Sequence, residues 1–411
     1  MVIRKKYLEQ LNNLRDVNVI KVITGIRRAG KSTLFKQFQD ELRTSGVKSK
    51  NIIHINLEEM ENAPLLNAYT LNDYIMKMVD KKQKNYVFLD EIQMVPEFER
   101  LVDSLFVKDY IDLYITGSNA FFLSSDLATL LTGRYIEIKV MPFSFAEFLL
   151  GYTASPFDKT FDHTFGYSKA EIFNHYLQYG GFPEVLNFLN ADKTDEINRY
   201  LSSVYSTILE KDIMKRNKIR SKFDFENLAK FMFDSIGNTV SPNSIAQTMT
   251  SNGNKINKET VDNYLSHLLG SFIFYHADRY DIKGKKLLQT LGKFYAVDLG
   301  FLSAMFNRDL QFNKGHNLEN IVYLELLRRG YAVNIGKADN TEIDFVAKAK
   351  GEITYIQVAW TVNDETTFQR EMRPFELVKD YNKRILLTTD IEPASTYKGI
   401  EKINVIDWLL N

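Results

Sequence analysis

The run Gly25-Ile26-Arg27-Arg28-Ala29-Gly30-Lys31-Ser32, followed by Thr33, sets two glycines, a lysine and a hydroxyl at the spacing G-x-x-x-x-G-K-[ST]. Glycine lets backbone N–H groups turn inward around an anion, and a helix starting just behind adds positive potential. A loop of this kind cradles a polyphosphate. Lys31 is expected to reach its β- and γ-phosphates, and the Ser32 hydroxyl to hold Mg²⁺. Whether Arg27 and Arg28 touch phosphate or face solvent is left open by the pattern.

Tyr86-Val87-Phe88-Leu89-Asp90-Glu91 supplies carboxylates to match. Four apolar residues predict a buried strand, and two acids emerge at its C-terminal end, the edge where ligands bind in parallel sheets. Asp90 is placed to orient Mg²⁺, and Glu91 to activate a water for attack on a γ-phosphate. Alone, an apolar run ending in Asp-Glu is an ordinary strand end; beside the phosphate loop it acquires a catalytic meaning. Ile115-Thr116-Gly117-Ser118-Asn119 repeats the strand-end logic, with Ser118 and Asn119 as equal candidates to sense the γ-phosphate or place the water, against a plain polar turn. Arg134, after Thr132-Gly133, is a candidate arginine finger toward a neighbouring subunit, against an ordinary surface arginine.

These residues need a scaffold. Val17 to Thr24, Asn51 to Leu57, Tyr86 to Asp90, Ile111 to Thr116 and Tyr135 to Met141 read as strands, mostly as the continuous apolar runs of parallel strands covered on both faces. The segments between them are long enough for crossover helices, so residues 1–142 predict an α/β core with a parallel sheet. Residues 143–222 read as a helical lid or linker, with a turn at Tyr179-Gly180-Gly181-Phe182-Pro183. Residues 223–300 predict three short helices and a hairpin around Lys283-Gly284-Lys285. Residues 301–411 predict a second α/β region. It opens with a helix from Leu318 to Arg329 that stops at Gly330, then has strands at Ala332–Ile335, Glu342–Ala347, Tyr355–Ala359 and Arg384–Thr388.

Composition narrows the function classes. A chain of 411 residues exceeds one ordinary core. Its 45% hydrophobic and 25% charged residues are those of a folded protein that is not membrane-embedded. Net charge is zero, so nucleic-acid binding would need a local patch. No cysteine is present, which removes disulfides, thiol nucleophiles and cysteine zinc sites. No apolar run approaches the ~20 residues of a membrane span. The charged start Met1-Val2-Ile3-Arg4-Lys5-Lys6 has no signal core behind it, so a cytoplasmic protein is expected.

At this point the chain resembles a broad prokaryotic family of AAA-superfamily ATPases with an N-terminal P-loop domain and a C-terminal domain of unknown function. The residues that carry the likeness are Gly25 to Thr33, Leu89-Asp90-Glu91-Ile92-Gln93, Thr116-Gly117-Ser118, Gly133-Arg134, Pro142-Phe143-Ser144-Phe145-Ala146-Glu147-Phe148, Tyr179 to Pro183, and Leu318-Glu319-Asn320 with Glu342-Ile343-Asp344-Phe345. The resemblance implies ATP binding and hydrolysis with Mg²⁺ by a motor or switch whose C-terminal part meets nucleic acid.

Two smaller resemblances follow. Ser241 to Leu268 and the hairpin behind it look like a winged helix-turn-helix. Asn257, Lys258, Thr260 and Asn263 would face outward, and Arg279, Lys283, Lys285 and Lys286 would form a wing for phosphates. A protein-contact role is the alternative. A second basic stretch, Lys211 to Lys222, is equally open. The last region resembles the restriction-endonuclease-like nuclease fold, with Glu319 at its helix position and Asp344 at its central Asp. Gln357 and Ala359 stand where Glu-x-Lys belongs, so the metal set is a carboxylate short, no amine is left to assist water, and a degenerate, non-cutting domain is expected. The resulting reading is an AAA-type ATPase that acts with nucleic acid or a protein partner and forms a homo-oligomer if Arg134 works across subunits. The rivals are a nucleotide-gated DNA-binding module with little turnover and an ATP-dependent nuclease.

Overall fold

Burial follows the apolar runs. In the computed structural model, which describes residues 2–118, 133–153, 168–306 and 313–411, β1 (Ile20–Thr24), β3 (Asn85–Asp90) and β4 (Ile111–Gly117) are buried along their whole length. β2 (Ile52–Asn56) and β5 (Tyr135–Lys139) are only partly buried. The reason is their place in the sheet. The order is β2-β3-β4-β1-β5, all parallel, so β2 and β5 are its edges. This five-stranded parallel α/β sheet is the one expected of a P-loop domain, and it belongs to the first of two compact units, Met1–Pro142 with Gly270–Phe272.

Among the described residues four helices cover the sheet: α1 (Lys5–Leu14), α2 (Lys31–Thr44), α3 (Ala68–Met78) and α4 (Phe98–Phe106). Leu71 and Ile75 of α3 and Leu101, Val102 and Leu105 of α4 pack with Ile20, Val22, Val87, Leu89, Leu113 and Ile115 in one core. α2 brings Phe35 and Phe38 to Phe88 and Tyr114, with ring centroids 5.0 Å apart for Phe35–Phe88 and 4.7 Å for the stacked Phe88–Tyr114. Fully burying each such ring is worth roughly 2–3 kcal/mol. The wedge fixes where α2 begins, and α2 begins at Lys31.

The second unit is Phe143–Leu269 with Ile273–Asn411. Among its described residues up to 222 every regular element is helical: α5 (Phe145–Thr153), α6 (Lys169–Tyr179), α7 (Pro183–Asn190) and α8 (Thr194–Thr207), with a π-helical turn at Ile208–Met214. The expected glycine turn sits between α6 and α7. Gly180 has φ +75°, and a Cβ there would lie 1.7 Å from Asp298 Oδ1.

Beyond it come α9 (Lys222–Asp234), β6 (Thr239–Val240), α10 (Pro242–Ser251), α11 (Lys258–Gly270) and the antiparallel pair β7 (Phe274–Asp281) and β8 (Lys286–Ala296). Ser241 caps α10 through the N–H of Ser244 at 3.1 Å, with Pro242 at its first position, as expected. The hairpin turn falls at Lys283-Gly284, whose N–H groups donate to Asp281 Oδ1 at 3.1 and 3.0 Å. After α12 (Gly300–Phe306) and α13 (Lys314–Arg328) the strands are β9 (Ala332–Ala338), β10 (Thr341–Ala349), β11 (Glu352–Val358), β12 (Lys383–Thr388), β13 (Ser395–Tyr397) and β14 (Ile400–Asn404). α14 (Glu365–Glu376) crosses between the parallel β11 and β12. One nine-stranded sheet, β13-β14-β12-β11-β10-β9-β7-β8-β6, runs through all of this, because β7 pairs in parallel with β9.

Candidate active site

Register determines what meets at the C-terminal edge of the first sheet. Thr24 pairs with Gly117 on one side and Lys139 on the other, while Asn56 pairs with Asp90. β4 therefore stands between the strand that feeds the phosphate loop and the strand that ends in the acids. The chain leaves β1 at Gly25, whose φ is +140° and where a Cβ would lie 2.0 Å from the Val140 carbonyl oxygen. Only glycine fits that close approach. Arg28 (φ +69°) and Gly30 (φ +96°) bend the loop further, and Lys31 opens α2.

Lys31 is buried, with Nζ 3.0 Å from Gly25 O, 3.3 Å from Ile26 O and 3.8 Å from Glu91 Oε1. Ser32 and Thr33 are exposed at the helix start, Ile26 and Ala29 are buried beneath the loop, and Arg28 faces solvent. Arg27 donates to Glu58 Oε1 at 3.0 Å. Asp90 is 1% exposed and Glu91 8%.

Thr116 ties the acids together. Its hydroxyl donates to Asp90 Oδ1, and the same oxygen accepts the Glu91 N–H at 2.9 Å. This leaves Asp90 Oδ2 buried without a hydrogen-bond partner. An orphaned carboxylate oxygen at the sheet edge where a helix opens with Lys31 and Ser32 suits Mg²⁺, an oxygen-seeking ion that shares its shell between one or two carboxylates, phosphates and water. Glu91 itself is left-handed, φ +55° and ψ +49°, a conformation uncommon for a residue with a Cβ. Gln93 Nε2 donates to Glu91 Oε2.

Two site residues were missed from the sequence. Thr116 reads as strand, with the polar role falling to its neighbours: Ser118 is buried at the strand end, and Asn119 lies outside the described residues. In the sequence Arg4 reads only as part of a charged start. It is 2% exposed, and its Nη1 donates to Ala29 O at 3.0 Å and Met141 O at 2.9 Å, fastening the loop to the end of the β5 segment. Neither role has a local signal, since both depend on partners far along the chain.

Arg134 lies at the opposite edge of the sheet. Its carbonyl accepts the Ile20 N–H at 2.8 Å, at the start of β1, and its guanidinium donates to Asp103 Oδ1 at 2.5 Å with 46% of the side chain exposed. A five-residue strand, about 16 Å at ~3.3 Å per residue, separates it from its own phosphate loop.

In the second unit, Glu319 and Asp344 are drawn into an internal network. Glu319 Oε1 accepts from Lys293 Nζ at 2.9 Å and Tyr295 OH at 2.6 Å, and Lys293 also reaches Glu342 Oε1 at 2.7 Å. Lys293 of β8 thus brings an amine to Glu319 from a strand outside the stretch that carries Gln357 and Ala359. Asp344 Oδ2 accepts the Val358 N–H at 2.8 Å, and Gln357 bridges the Asp344 N–H (3.3 Å) to Glu371 Oε2 (2.9 Å). Burial, then nearby Glu319, pushes the Asp344 carboxyl well above its ordinary range against the pull of Lys293. Among the described residues no group of three or more His, Cys, Asp or Glu side chains could hold a metal ion.

The expected wing is also partly spent inside the unit. Lys283 pairs with Asp339, Arg279 lies 4.0 Å from Glu342, and Asn257 caps α11 by accepting the Thr260 N–H at 2.8 Å. No helix among the described residues is long and apolar enough to cross a membrane.

A family model described as an AAA domain matches residues 17–149, and one described as a domain of unknown function (DUF8612) matches residues 170–311. The chain is 38% identical over 411 residues to an uncharacterized protein of Haemophilus influenzae, covering 100% of this chain and 99% of that one. It is 30% identical over 414 residues to an uncharacterized protein of Methanocaldococcus jannaschii, covering 95% and 85%. Among solved structures, the Walker-type ATPase paby2304 of Pyrococcus abyssi is similar with a TM-score of 0.49 at 15% identity, over 74% of this chain and 96% of that one.

Proposed function

The chain belongs to the family of these two relatives and carries an AAA-type P-loop domain, and from that premise we propose that it binds ATP with Mg²⁺ in the Gly25–Thr33 loop and hydrolyses it. The observation that carries the reading is Thr116 holding Asp90 and Glu91 together at the sheet edge where Lys31 starts α2. The loop amides and Lys31 bind phosphate, Ser32 and Asp90 Oδ2 hold the cation, and Glu91 takes the proton of the attacking water. Mg²⁺ supplies charge neutralisation on the phosphate oxygens. Ser118 and Asn119 remain the candidates for sensing the γ-phosphate, and Arg134, at the sheet edge opposite its own loop, acts on a neighbouring subunit in a homo-oligomer.

Phosphate release by the full chain, with ATP and Mg²⁺, with and without DNA, tests the reading. Turnover supports it; saturable ATP binding with no turnover replaces it by a nucleotide-gated binding module.

The finer assignment concerns the second unit. We read β6, α10, α11 and the β7–β8 hairpin as a winged helix, and the sheet from β9 onward as a nuclease-like fold whose acidic residues serve packing. The element order supports the first, and the Lys293–Glu319 and Gln357–Glu371 contacts support the second. Nucleic acid is the partner that exposed Lys285 and Lys286 would suit.

A further inference from the structure

We propose that Gln93 is a positioning residue for Glu91, its amide holding the carboxylate toward the phosphate loop; the inference rests on the hydrolysis proposed above. Glu91 is fixed at three points. Its backbone N–H is held by Thr116 at 2.9 Å, its Oε1 lies 3.8 Å from Lys31 Nζ, and its Oε2 accepts from Gln93 Nε2. Gln93 is itself held close, because the 3₁₀ turn Ile92–Met94 follows Glu91 directly, with the Met94 N–H donating to Glu91 O at 3.0 Å and Ile92 fully buried.

The chemistry gives these contacts different fates. A polyphosphate in the loop draws the Lys31 ammonium to itself, since two or more anionic oxygens outweigh one carboxylate at 3.8 Å. Oε1 is then free to accept a proton from water. A glutamate carboxylate released from its cation still has three side-chain torsions to explore, and a general base must sit within ~3 Å of the proton it takes. Gln93 does not depend on the ligand. It keeps Oε2 in place, and with it the direction of Oε1. Because the amide is neutral, it adds no charge to the phosphate site, so it should act on turnover and leave affinity alone.

The test is a comparison of kcat with nucleotide affinity in the full chain, using ATP for turnover and a fluorescent ATP analogue for binding. Gln93→Ala and Gln93→Glu, which keeps the length and loses the donor, should each lower kcat about tenfold or more while the dissociation constant stays within about twofold. In the Glu91→Gln background Gln93→Ala should change the residual rate by less than about twofold, because a residue acting through Glu91 has nothing left to act on. Wild-type kcat in Gln93→Ala overturns the proposal, as does an equal loss in the Glu91→Gln background or a loss of affinity at unchanged kcat. A wild-type chain with no turnover sinks the hydrolysis reading first, and this inference with it.

Discussion

Lys31 Nζ lies 3.8 Å from Glu91 Oε1, and both side chains are buried. The residues proposed as phosphate cation and as general base thus face each other directly. In the proposed hydrolysis, phosphate competes with Glu91 for the lysine, so binding and activation of the base are linked through one ammonium.

The two residues should therefore separate in mutants. Lys31→Ala removes the phosphate's charge partner, so nucleotide binding should fall by tenfold or more, ~1.4 kcal/mol upwards. Glu91→Gln keeps the shape and the site's hydrogen bonds, so binding should persist while turnover drops roughly 10²–10⁴-fold. Calorimetric binding and phosphate release check both. Wild-type hydrolysis by Glu91→Gln would remove Glu91 as the base.

Arg4 should matter to the loop although it is far from it in sequence. Arg4→Ala deletes two charge-assisted bonds, to Ala29 O and Met141 O, and strands two buried carbonyls. A loss of about 3 kcal/mol in stability is expected, with weaker nucleotide binding, and Arg4→Lys should fall between. Thermal melts with and without ATP measure it. Undiminished stabilisation by ATP in Arg4→Ala would show that the loop holds its shape unaided.

Arg134 should act across subunits or not at all, because its own loop lies at the other edge of the sheet. Specific activity should rise with protein concentration. Mixing Arg134→Ala with Glu91→Gln protein should restore part of the activity, since mixed interfaces can pair an intact arginine with an intact glutamate. Absence of rescue in subunits shown to exchange makes Arg134 a surface residue paired with Asp103.

Asp298 should make the second unit pH-sensitive. Burial raises its carboxyl to about 7 although Gly181 N–H and Gly300 N–H donate to it at 2.7 and 2.9 Å. A raised carboxyl means that between the ordinary value of 3.8 and about 7 the folded chain holds a proton the unfolded chain has lost. Stability contributed by this group thus falls as pH rises through that window and levels off above it, by roughly 4 kcal/mol at most. Urea unfolding from pH 4 to 8 should show a shallower fall for Asp298→Asn than for wild type; parallel curves would count against it.

Nucleic acid should bind without being cut. Affinity should fall steeply with salt, as counterion release requires. Linear, circular and single-stranded DNA should survive incubation with Mg²⁺ or Mn²⁺, because Glu319 and Asp344 are engaged by Lys293, Tyr295 and Val358. Cleavage that disappears in Asp344→Ala would overturn this, and no binding at low salt would point to a protein partner.

Much of the first unit could be read directly from the sequence because its signals are local. Continuous apolar runs give buried parallel strands, and two glycines with Lys31 and Ser32 give a phosphate loop wherever a strand precedes and a helix follows. Asp90 and Glu91 are legible as a strand end. What the sequence could not supply is adjacency. That β4 lies between β1 and β3, and so sets Thr116 against Asp90, depends on strand order, which hydrogen bonding between distant segments decides. The same holds for Arg4 on Ala29 and for Lys293, which enters the Glu319 network from a strand the motif spacing never counts. Glu91's left-handed backbone is likewise a product of its surroundings, since an acidic residue has no intrinsic preference strong enough to choose it. Residue type and spacing specify which groups are available; only packing in three dimensions decides which of them meet, because a buried polar atom must take whatever partner the fold brings within reach.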